Sequence, residues 1–573
     1  MEYRWRISDQ PDEHAVQELA RSLNQPDSIA RILVSRGISR YEDAKQFFRP
    51  SLSDLHDPFM MRDMVRAVER VMEAIKSGAH IRVYGDYDVD GTTSTSMLFL
   101  FLKEAEANVS YYIPDRFTEG YGLSIAGVDA AHRAGVKLLI TVDCGTTAVT
   151  QVAHARTLGM DVIVCDHHEP DKEIPATTAL LNPIQPGCDY PFKYLSGCGV
   201  AFKLMQGLAQ KLGIEEDRVL HYLDFVAVAA AADIVSLVGE NRILVTYGLQ
   251  LLNGDTRPGF RALLDVAGIE HGKVQTSTVV FGIAPRINAA GRIGDAVRAV
   301  RLLICDEPGE AYTLAQELET DNRSRRALDE ETFGIAQRLI EETLDRGNDR
   351  VIVLHHGEWH PGVIGIVASR VVEKYYLPAV MLTTVEGAAK GSARSIPGFD
   401  IHSALRRCES MMINFGGHKY AAGLSLAPEN VPAFRKALNE VAREMITPEM
   451  LIPEISADTT VNVQEINTEF VNTLKQFAPY GPQNMKPVFY VSGAEIVGTP
   501  RIVGNNHLKF RVRQMNGNIP TSQKTVVDAI GFGLGAKYPL LKNGRREFEL
   551  LAAVEENTYL GKTSPQFLIK DLR

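Results

Sequence analysis

The stretch VYGDYDVDG, residues 83–91, constrains the fold of this chain more than any other part of the sequence. Three aspartates alternate within it: Asp86, Asp88 and Asp90. An apolar run precedes the stretch and a Ser/Thr-rich apolar segment follows it, a pattern that predicts a strand, an acidic turn and a helix. Carboxylates this close repel one another unless a cation lies among them, and hard divalent cations prefer oxygen ligands.

The same stretch has two other interpretations, a solvated acidic turn and the first half of a calcium-binding EF-hand loop. The EF-hand pattern requires a bidentate Glu at its twelfth position, where this chain has Met97. It also requires a helix before the loop, where this chain has a strand-like run. The stretch alone therefore leaves a solvated turn and a catalytic metal site as equal alternatives.

The size and composition of the chain are typical of a multidomain soluble protein. Its 573 residues suggest about three to four domains. The N-terminus lacks the apolar core of a signal peptide, and no apolar run is long enough to span a bilayer, so we expect no membrane partner. Six scattered cysteines without a CxxC pair indicate reduced thiols and a cytoplasmic location.

Charge is distributed unevenly along the chain, although its net value of −10 does not favour a polyanionic partner. Residues 460–573 contain 14 Lys and Arg against 9 Asp and Glu, whereas residues 1–459 contain 47 against 62. This asymmetry suggests a basic C-terminal module that binds nucleic acid. An ordinary solvated surface explains so small an excess nearly as well.

Strand-like and helical patterns alternate between residues 79 and 235, which predicts a mostly parallel, doubly wound sheet. The expected strands are residues 80–85, 109–113, 136–142 and 161–165. In such sheets ligands bind beyond the carboxyl ends of the strands. Acidic or imidazole side chains follow three of these ends: the aspartates of residues 83–91, Asp143, and the run Asp166-His167-His168.

Asp233 is a further candidate, because apolar residues flank it in the run AAADIV. A carboxylate in such surroundings is buried or half-buried and needs a partner. In isolation a hydrogen-bonded Asp at a helix C-terminus is the simpler interpretation. Beside the other acidic clusters, a metal ligand becomes the better one.

The motifs VYGDYDVDG, TVDCG, DHH and ADIV, in this order and spacing, resemble the DHH phosphoesterase superfamily. Further stretches resemble its RecJ branch, namely PRINAAGR at 285–292, WHPGVIG at 359–365 and FGGH at 415–418. Cys144 stands where an Asn is familiar, and this difference removes no expected ligand. The resemblance covers roughly residues 25–570. It implies a two-ion hydrolase that uses Mn²⁺ or Mg²⁺, and carboxylates with imidazole suit either ion.

The resemblance also implies the roles of individual residues. The metal ligands and catalytic residues would be Asp88, Asp90, Asp143, His167 and Asp233, with Asp86 as a supporting or alternative metal ligand and His168 facing the scissile phosphate. Residues expected to hold the nucleic acid are Arg116, Arg286, Asn288, Arg292, Arg370, Ser392, Arg394 and His418.

The PRINAAGR stretch is expected to form a small-residue turn whose arginines approach a phosphate. A tight structural turn with two surface arginines is the alternative. In the C-terminal region, the candidates for binding a single strand are Lys509, Arg511, Arg513 and Tyr480. The alternation of side chains there is equally typical of ordinary strands with one solvent-exposed face.

The predicted architecture has two α/β domains, a DHH phosphoesterase domain and a DHH-associated domain, joined by a long helix. A C-terminal all-β oligonucleotide-binding barrel follows. The expected boundaries are an N-terminal helical cap at 1–75 packed on the following domain, the phosphoesterase domain at 76–240, a helical part with the connector at 241–347, the associated domain at 348–450 and the barrel at 455–573.

The function that the resemblance implies is degradation of single-stranded DNA from 5′ to 3′ in DNA recombination and repair, beside a single-strand-binding protein and a RecQ-type helicase. One alternative is a phosphodiesterase of the same superfamily that acts on short oligonucleotides or nucleotides. A second is a non-catalytic binding protein. The retained acidic ligands disfavour the latter.

Overall fold

The computed structural model describes residues 2–514, 525–542 and 547–573. A short strand and four helices form the N-terminal region. Their bounds are β1 Arg4–Ile7, α1 Glu13–Leu23, α2 Asp27–Ser35, α3 Tyr41–Phe48 and α4 Met64–Ser77. Asp12 begins α1 by accepting a hydrogen bond from the Ala15 N–H (3.1 Å), as expected of a helix N-cap. Among the described residues, none of the helices combines the length and apolar character needed to cross a bilayer.

The predicted parallel sheet is confirmed. Its strands are β2 Ile81–Tyr84, β3 Val109–Tyr112, β4 Leu138–Val142, β5 Asp161–Cys165 and β6 Ala179–Leu181. The associated helices are α5 Val89–Glu104, α6 Ile125–Arg133, α7 Val149–Thr157, α8 Gly197–Leu212, α9 Glu216–Leu220 and α10 Leu223–Ala232. All neighbours pair in parallel, in the order β3-β2-β4-β5-β6. The central strand β4 is buried at every position, since helices cover both faces of such a sheet.

Helices fill the following region. They are α11 Gly239–Asn253, α12 Pro258–Val266, α13 Thr276–Thr278, a π-helical turn at Val279–Ile283, α14 Ala284–Ile293, α15 Val297–Leu303 and α16 Pro308–Thr343. The small-residue turn expected at 285–292 is wrong, because this stretch lies within α14. Pro285 is in the first turn of that helix, where a missing N–H costs little, and Ala is a strong helix former. The 36-residue α16 is the predicted connector.

A second α/β unit follows the connector. Its strands are β7 Ile352–His355, β8 Ala379–Val385, β9 Ala388–Arg394, β10 Asn414–His418 and β11 Ala421–Leu426. Its helices are α17 Ile364–Tyr375, α18 Ile401–Arg406 and α19 Val431–Met445. The sheet order is β10-β11-β9-β8-β7, and of these pairs only β7 with β8 is parallel.

The C-terminal region forms the predicted barrel. Strand β12 Glu454–Ala457 lies outside the barrel sheet, whose strands are β13 Thr459–Thr460, β14 Phe489–Ile496, β15 Arg501–Val503, β16 His507–Gln514, β17 Val527–Gly531, β18 Phe548–Tyr559 and β19 Lys562–Leu572. Helix α20 is Thr468–Lys475 and α21 is Tyr538–Lys542. Five strands follow in the order β14-β18-β19-β17-β16, and β16 pairs with β14 again, which closes the ring.

The N-terminal helices do not pack as expected. Helices α1–α3 share a hydrophobic core with the barrel, through residues such as Val16 and Ile29 on one side and Phe477 and Phe489 on the other. Strand β1 pairs in parallel with β12. Only α4 packs on the first sheet, with Met64 in its core. An amphipathic helix shows which face is buried, but its sequence does not show which surface covers that face.

Candidate active site

Side chains from four separate segments converge at the carboxyl edge of the first sheet. Asp143 follows β4, His167 follows β5, Asp90 is in the first turn of α5, and Asp233 caps the end of α10. The His167 Nε2 atom lies 3.2 Å from Asp143 Oδ1, 3.6 Å from Asp233 Oδ2 and 3.8 Å from Asp90 Oδ2. The structure therefore brings these four predicted site residues together.

Two overlapping groups of donor atoms in this cluster could each hold a metal ion. One is Asp90, His167 and Asp233, and the other is Asp143, His167 and His168. Within each group the donor atoms lie within 4.8 Å of one another. Asp143 Oδ1, His167 Nε2 and Asp86 Oδ2 are buried and have no hydrogen-bond partner. Buried polar atoms are normally satisfied, and oxygen with imidazole suits Mn²⁺ or Mg²⁺, so the residues present fit such ions.

The pKa values of these carboxyl groups indicate the same need for a cation. Burial and the neighbouring Asp88 raise the pKa of Asp90 and that of Asp86 to about 7. Burial and the neighbouring Asp90 raise the pKa of Asp233 to about 8 and that of Asp143 well above its ordinary value. A bound divalent cation would favour the ionised forms.

Asp86 and Asp88 lie beside the cluster but in neither donor group. Asp88 is the N-cap of α5 and accepts a hydrogen bond from the Gly91 N–H (3.0 Å). Asp86 is fully buried and accepts a long hydrogen bond from the Gly122 N–H (3.4 Å). Each therefore keeps one carboxylate oxygen that these hydrogen bonds do not use.

The N-terminus of α8 supports the cluster from behind. The N–H groups of Gly197 and Cys198 both donate to the Asp90 carboxylate at 2.7 Å. A Cβ atom on Gly197 would lie 2.6 Å from the Asp143 Cβ, so only glycine allows this approach. Gly197 and Cys198 are not among the site residues predicted from the sequence.

His167 and His168 differ in charge because their surroundings differ. Burial, together with the nearby His168, lowers the pKa of His167 to about 4, which leaves a neutral imidazole suited to a metal. Burial alone would lower the pKa of His168, but the hydrogen bond to Asp166 raises it to about 9. His168 Nδ1 lies 2.7 Å from Asp166 Oδ1, and its Nε2 lies 2.9 Å from the Tyr121 hydroxyl.

Asp166 and Tyr121 are functional candidates that the sequence analysis did not assign. Asp166 also accepts hydrogen bonds from the His167 and His168 N–H groups (2.7 and 3.1 Å) and from the Thr146 N–H (2.9 Å). The adjacency of Asp166 to the two histidines was the available signal. Nothing in the spacing of Tyr121 indicates its contact with His168.

A group of arginines lies where the connector helix and the second α/β unit approach the cluster. Burial, together with the charges of Arg116, Arg325 and Arg394, lowers the pKa of Arg292 to about 10. Arg292 donates to the Gly362 carbonyl (3.2 Å), Arg394 donates to Ser392 Oγ (2.8 Å), and Arg116 stacks on Tyr87 at 4.8 Å. Arg325, on α16, is a member that the sequence analysis missed. Four cations this close together could hold an anion.

Arg286 and Arg370 have other partners. Arg286 is buried and lies 2.7 Å from Glu319, and Arg370 lies 3.0 Å from Asp329 and 3.3 Å from Glu330. All three acidic residues belong to α16. These contacts favour a role in holding the connector helix rather than the expected contact with nucleic acid.

The remaining predicted contacts are peripheral. Asn288 is half-buried on α14, and His418 is exposed on β10. His418 lies in register with Ala421, which lies in register with Arg394, so His418 and Arg394 belong to the same cross-strand row of the sheet. In the barrel, Lys509 lies 5.9 Å from the Tyr559 ring. Arg513 pairs with Glu495 at 2.7 Å, and Tyr480 donates to the Leu474 carbonyl, so these two side chains have structural partners.

Three family models match the chain. They are the N-terminal domain of the DHH family at residues 80–230, the DHHA1 domain at residues 348–444 and the RecJ OB domain at residues 457–571.

Curated relatives match over nearly the whole chain. The single-stranded-DNA-specific exonuclease RecJ of Bacillus subtilis is 38% identical, over 99% of this chain and 70% of its own length. The protein of the same name from Escherichia coli is 36% identical, over 96% of each chain.

Solved structures agree with these matches. RecJ from Thermus thermophilus in complex with Mn²⁺ superposes with a TM-score of 0.81 at 30% identity, over 100% of this chain and 79% of that one. Its complex with Mg²⁺ gives a TM-score of 0.77 at 29% identity, over 100% and 78%. The chain therefore belongs to the RecJ family of single-stranded-DNA-specific exonucleases.

Proposed function

We propose that this chain is a metal-dependent exonuclease that degrades single-stranded DNA from 5′ to 3′. The observation that carries the proposal is the convergence of three carboxylates on the unpartnered His167 Nε2 atom, beside a protonated His168. Asp88, Asp90, Asp143, His167 and Asp233 would hold two divalent ions, with Asp86 supporting them. When bound, two such ions supply a water-derived nucleophile at neutral pH and stabilise the oxygens of an in-line displacement.

The protein side chains position the substrate for this reaction. His168, kept protonated by Asp166, presents a positive charge to the scissile phosphate once Tyr121 releases its Nε2 atom. The arginine group of Arg116, Arg292, Arg325 and Arg394, with Ser392, receives a terminal phosphate. A phosphate bound there relieves the electrostatic repulsion among the buried guanidinium groups. The arginine group therefore favours the phosphorylated end of a DNA strand over an internal phosphate.

The barrel favours a polymeric substrate. A cation beside an aromatic ring, as in Lys509 and Tyr559, is suited to single-stranded nucleic acid. The alternative of a phosphodiesterase for short oligonucleotides is not favoured, because the matching relatives are named as single-stranded-DNA-specific exonucleases over almost the whole chain.

We propose a cytoplasmic location, which is supported by six free cysteines in the described residues. A role in recombination and repair beside a single-strand-binding protein and a RecQ-type helicase rests on the family resemblance. Co-purification of either partner with the full-length chain from a nuclease-treated lysate would support it, and its failure in both cases would count against it.

Digestion of end-labelled DNA tests the proposed activity. With Mn²⁺, a 5′-labelled single strand is expected to release labelled mononucleotide at once, whereas a 3′-labelled strand shortens gradually and a blunt duplex stays intact. Excess chelator should abolish both reactions. Initial release of the 3′ label would overturn the polarity, and chelator-resistant digestion would overturn the metal requirement.

A further inference from the structure

We propose that the C-terminal barrel unit positions a metal ligand in addition to binding nucleic acid. The contact is made by the junction turn, defined as residues 479–485, which follows α20 and precedes β14. It supports the segment after Asp233. The inference rests on the proposed function, because it takes Asp233 to be a ligand of a divalent ion.

The segment that carries Asp233 is strained. Asp233 ends α10, and the next residue, Ile234, has a φ of 59°. This left-handed conformation is unfavourable for a β-branched side chain, and surrounding structure must impose it. The Ile234 side chain is 64% exposed and contributes little packing of its own. The position of the Asp233 carboxylate therefore depends on contacts further along the segment.

The junction turn supplies such a contact. The Leu237 N–H donates to the Pro482 carbonyl at 2.9 Å, and the Leu237 side chain is buried. Gly481 lies directly against it, since a Cβ atom there would come within 2.6 Å of Leu237 Cδ1. Within its own domain, the segment is held by Asn241 Nδ2, which donates to the Ser236 carbonyl at 3.0 Å.

Hydrogen bonds on every side fix the junction turn itself. Buried Asn484 donates to the carbonyls of Phe477 (2.7 Å) and Pro479 (2.8 Å). Arg36, from the N-terminal helices, donates to Asn484 Oδ1 and to the Met485 carbonyl. Thr276 Oγ1 donates to the Tyr480 carbonyl at 2.7 Å. A turn held this way can impose its position on Leu237.

Arg242 locks the far end of the same segment. It lies in the first turns of α11, and its guanidinium donates to the carbonyls of Phe47 (2.9 Å), Phe477 (2.8 Å) and Gln476 (2.9 Å). The path from Asp233 into α11 is thus fixed to the C-terminal region at Leu237, and to both the N-terminal and the C-terminal regions at Arg242. Displacing the junction turn would move the Asp233 carboxylate.

Gly481→Ala in the full-length chain tests this coupling. The backbone of Gly481 lies outside the left-handed region, so alanine fits its conformation and only the clash with Leu237 is new. Loss of a residue that orients a metal ligand lowers metal affinity by about 10-fold to 100-fold. We expect Gly481→Ala to raise the Kd for Mn²⁺, measured by calorimetric titration without DNA, by about 10-fold.

Three companion variants sharpen the test. Leu237→Ala combined with Gly481→Ala removes the clash, so the double variant should bind Mn²⁺ more tightly than Gly481→Ala alone. Gly334→Ala, on α16 where a Cβ meets no atom within 4 Å, should match the unmodified chain. Thr276→Val removes only one anchor of the turn, and we expect its Mn²⁺ Kd to rise by about 5-fold.

The outcomes are distinguishable. If Gly481→Ala folds and its Mn²⁺ affinity is unchanged while it binds single-stranded DNA more weakly in the presence of chelator, the junction turn acts on DNA binding alone. This result would overturn the inference and leave the proposed function intact. If Gly481→Ala does not fold, unchanged affinity in Thr276→Val overturns the inference instead. An unmodified chain that binds no Mn²⁺ would overturn the proposed function itself.

Discussion

At the scale of single residues, the site is a set of carboxylates that cannot all ionise without a cation. Burial raises the pKa values of Asp86, Asp90 and Asp233 to between about 7 and about 8. His167, whose pKa is lowered to about 4, is already neutral at these pH values. Proton release from the carboxyl groups, rather than from the imidazole, should therefore accompany metal binding.

The first prediction concerns pH. A carboxyl group whose pKa is raised by folding stabilises the metal-free chain below the unfolded pKa near 4, and this contribution is lost as pH rises through about 7 to 8. Bound Mn²⁺ compensates for this lost stability because it pairs with the ionised carboxylates. The increase in Tm on adding Mn²⁺ should therefore grow from pH 6 to pH 8.5 in thermal unfolding. An increase that shrinks over this range would contradict the assignment.

The second prediction concerns the arginine group. Arg394→Gln removes a cation that lies near Arg292 and Arg116, so it should raise the KM for a 5′-phosphorylated single strand by about 10-fold or more. The KM for a 5′-hydroxyl strand should change much less. Arg407→Gln is the matched control, because Arg407 pairs with Glu444. An equal increase in KM for both strands would contradict the assignment of the arginine group as the site of the terminal phosphate.

Residue-level prediction from sequence succeeded where topology dictates position. Asp143 and His167 could be placed together because the carboxyl ends of parallel strands share one edge of a sheet. Arg286 and Arg370 could not be sorted from Arg292 and Arg394, because their partners on α16 are distant in sequence. Arg325 was not predicted because it lies on α16, whereas its neighbours Arg116 and Arg394 are distant in sequence.

At the scale of elements, α8 is as important to the metal centre as the strand ends are. Its first two N–H groups bind Asp90, and its first residue touches Asp143. The positive end of a helix stabilises the carboxylate there. The sequence indicates a helix but not that its N-terminus packs against Asp90 and Asp143, because such a long-range contact leaves no periodic pattern in the sequence.

The third prediction tests that approach. Gly197→Ala would force α8 away from Asp143, so the Mn²⁺ affinity should fall by about 10-fold or more and the hydrolysis rate should fall with it. Gly334→Ala, which adds the same methyl group to an open position on α16, serves as the control. Calorimetric titration and a digestion assay measure the two effects. Wild-type affinity in Gly197→Ala would refute the proposed packing constraint.

At the scale of the whole molecule, the chain returns its N-terminus to its C-terminal barrel. The order of the domains could be predicted, because strand and helix patterns change clearly along the sequence. The packing of α1–α3 on the barrel and the closure of β16 onto β14 could not, because both depend on long-range contacts without a sequence signal. This arrangement joins the barrel to the metal centre through the junction turn.

The fourth prediction follows from the attached barrel. A long single strand contacts both the site and the barrel, so kcat/KM for a 40-nucleotide strand should exceed that for a dinucleotide by about 100-fold or more. Raising the salt concentration should reduce this ratio, since phosphate contacts release counterions. Comparable values for both substrates would favour the short-oligonucleotide alternative.

The measurement that tests the central claim most directly is Mn²⁺ binding by the unmodified chain and by Asp143→Asn, with exonuclease rates on the same samples. We predict two bound ions in the unmodified chain, loss of at least one in Asp143→Asn, and a rate about 1000-fold lower, which corresponds to about 4 kcal/mol. Asp129→Asn, at an ion pair with His154 on α6 and α7, should keep both ions and full activity. Full activity of Asp143→Asn, or digestion without any bound ion, would contradict the account.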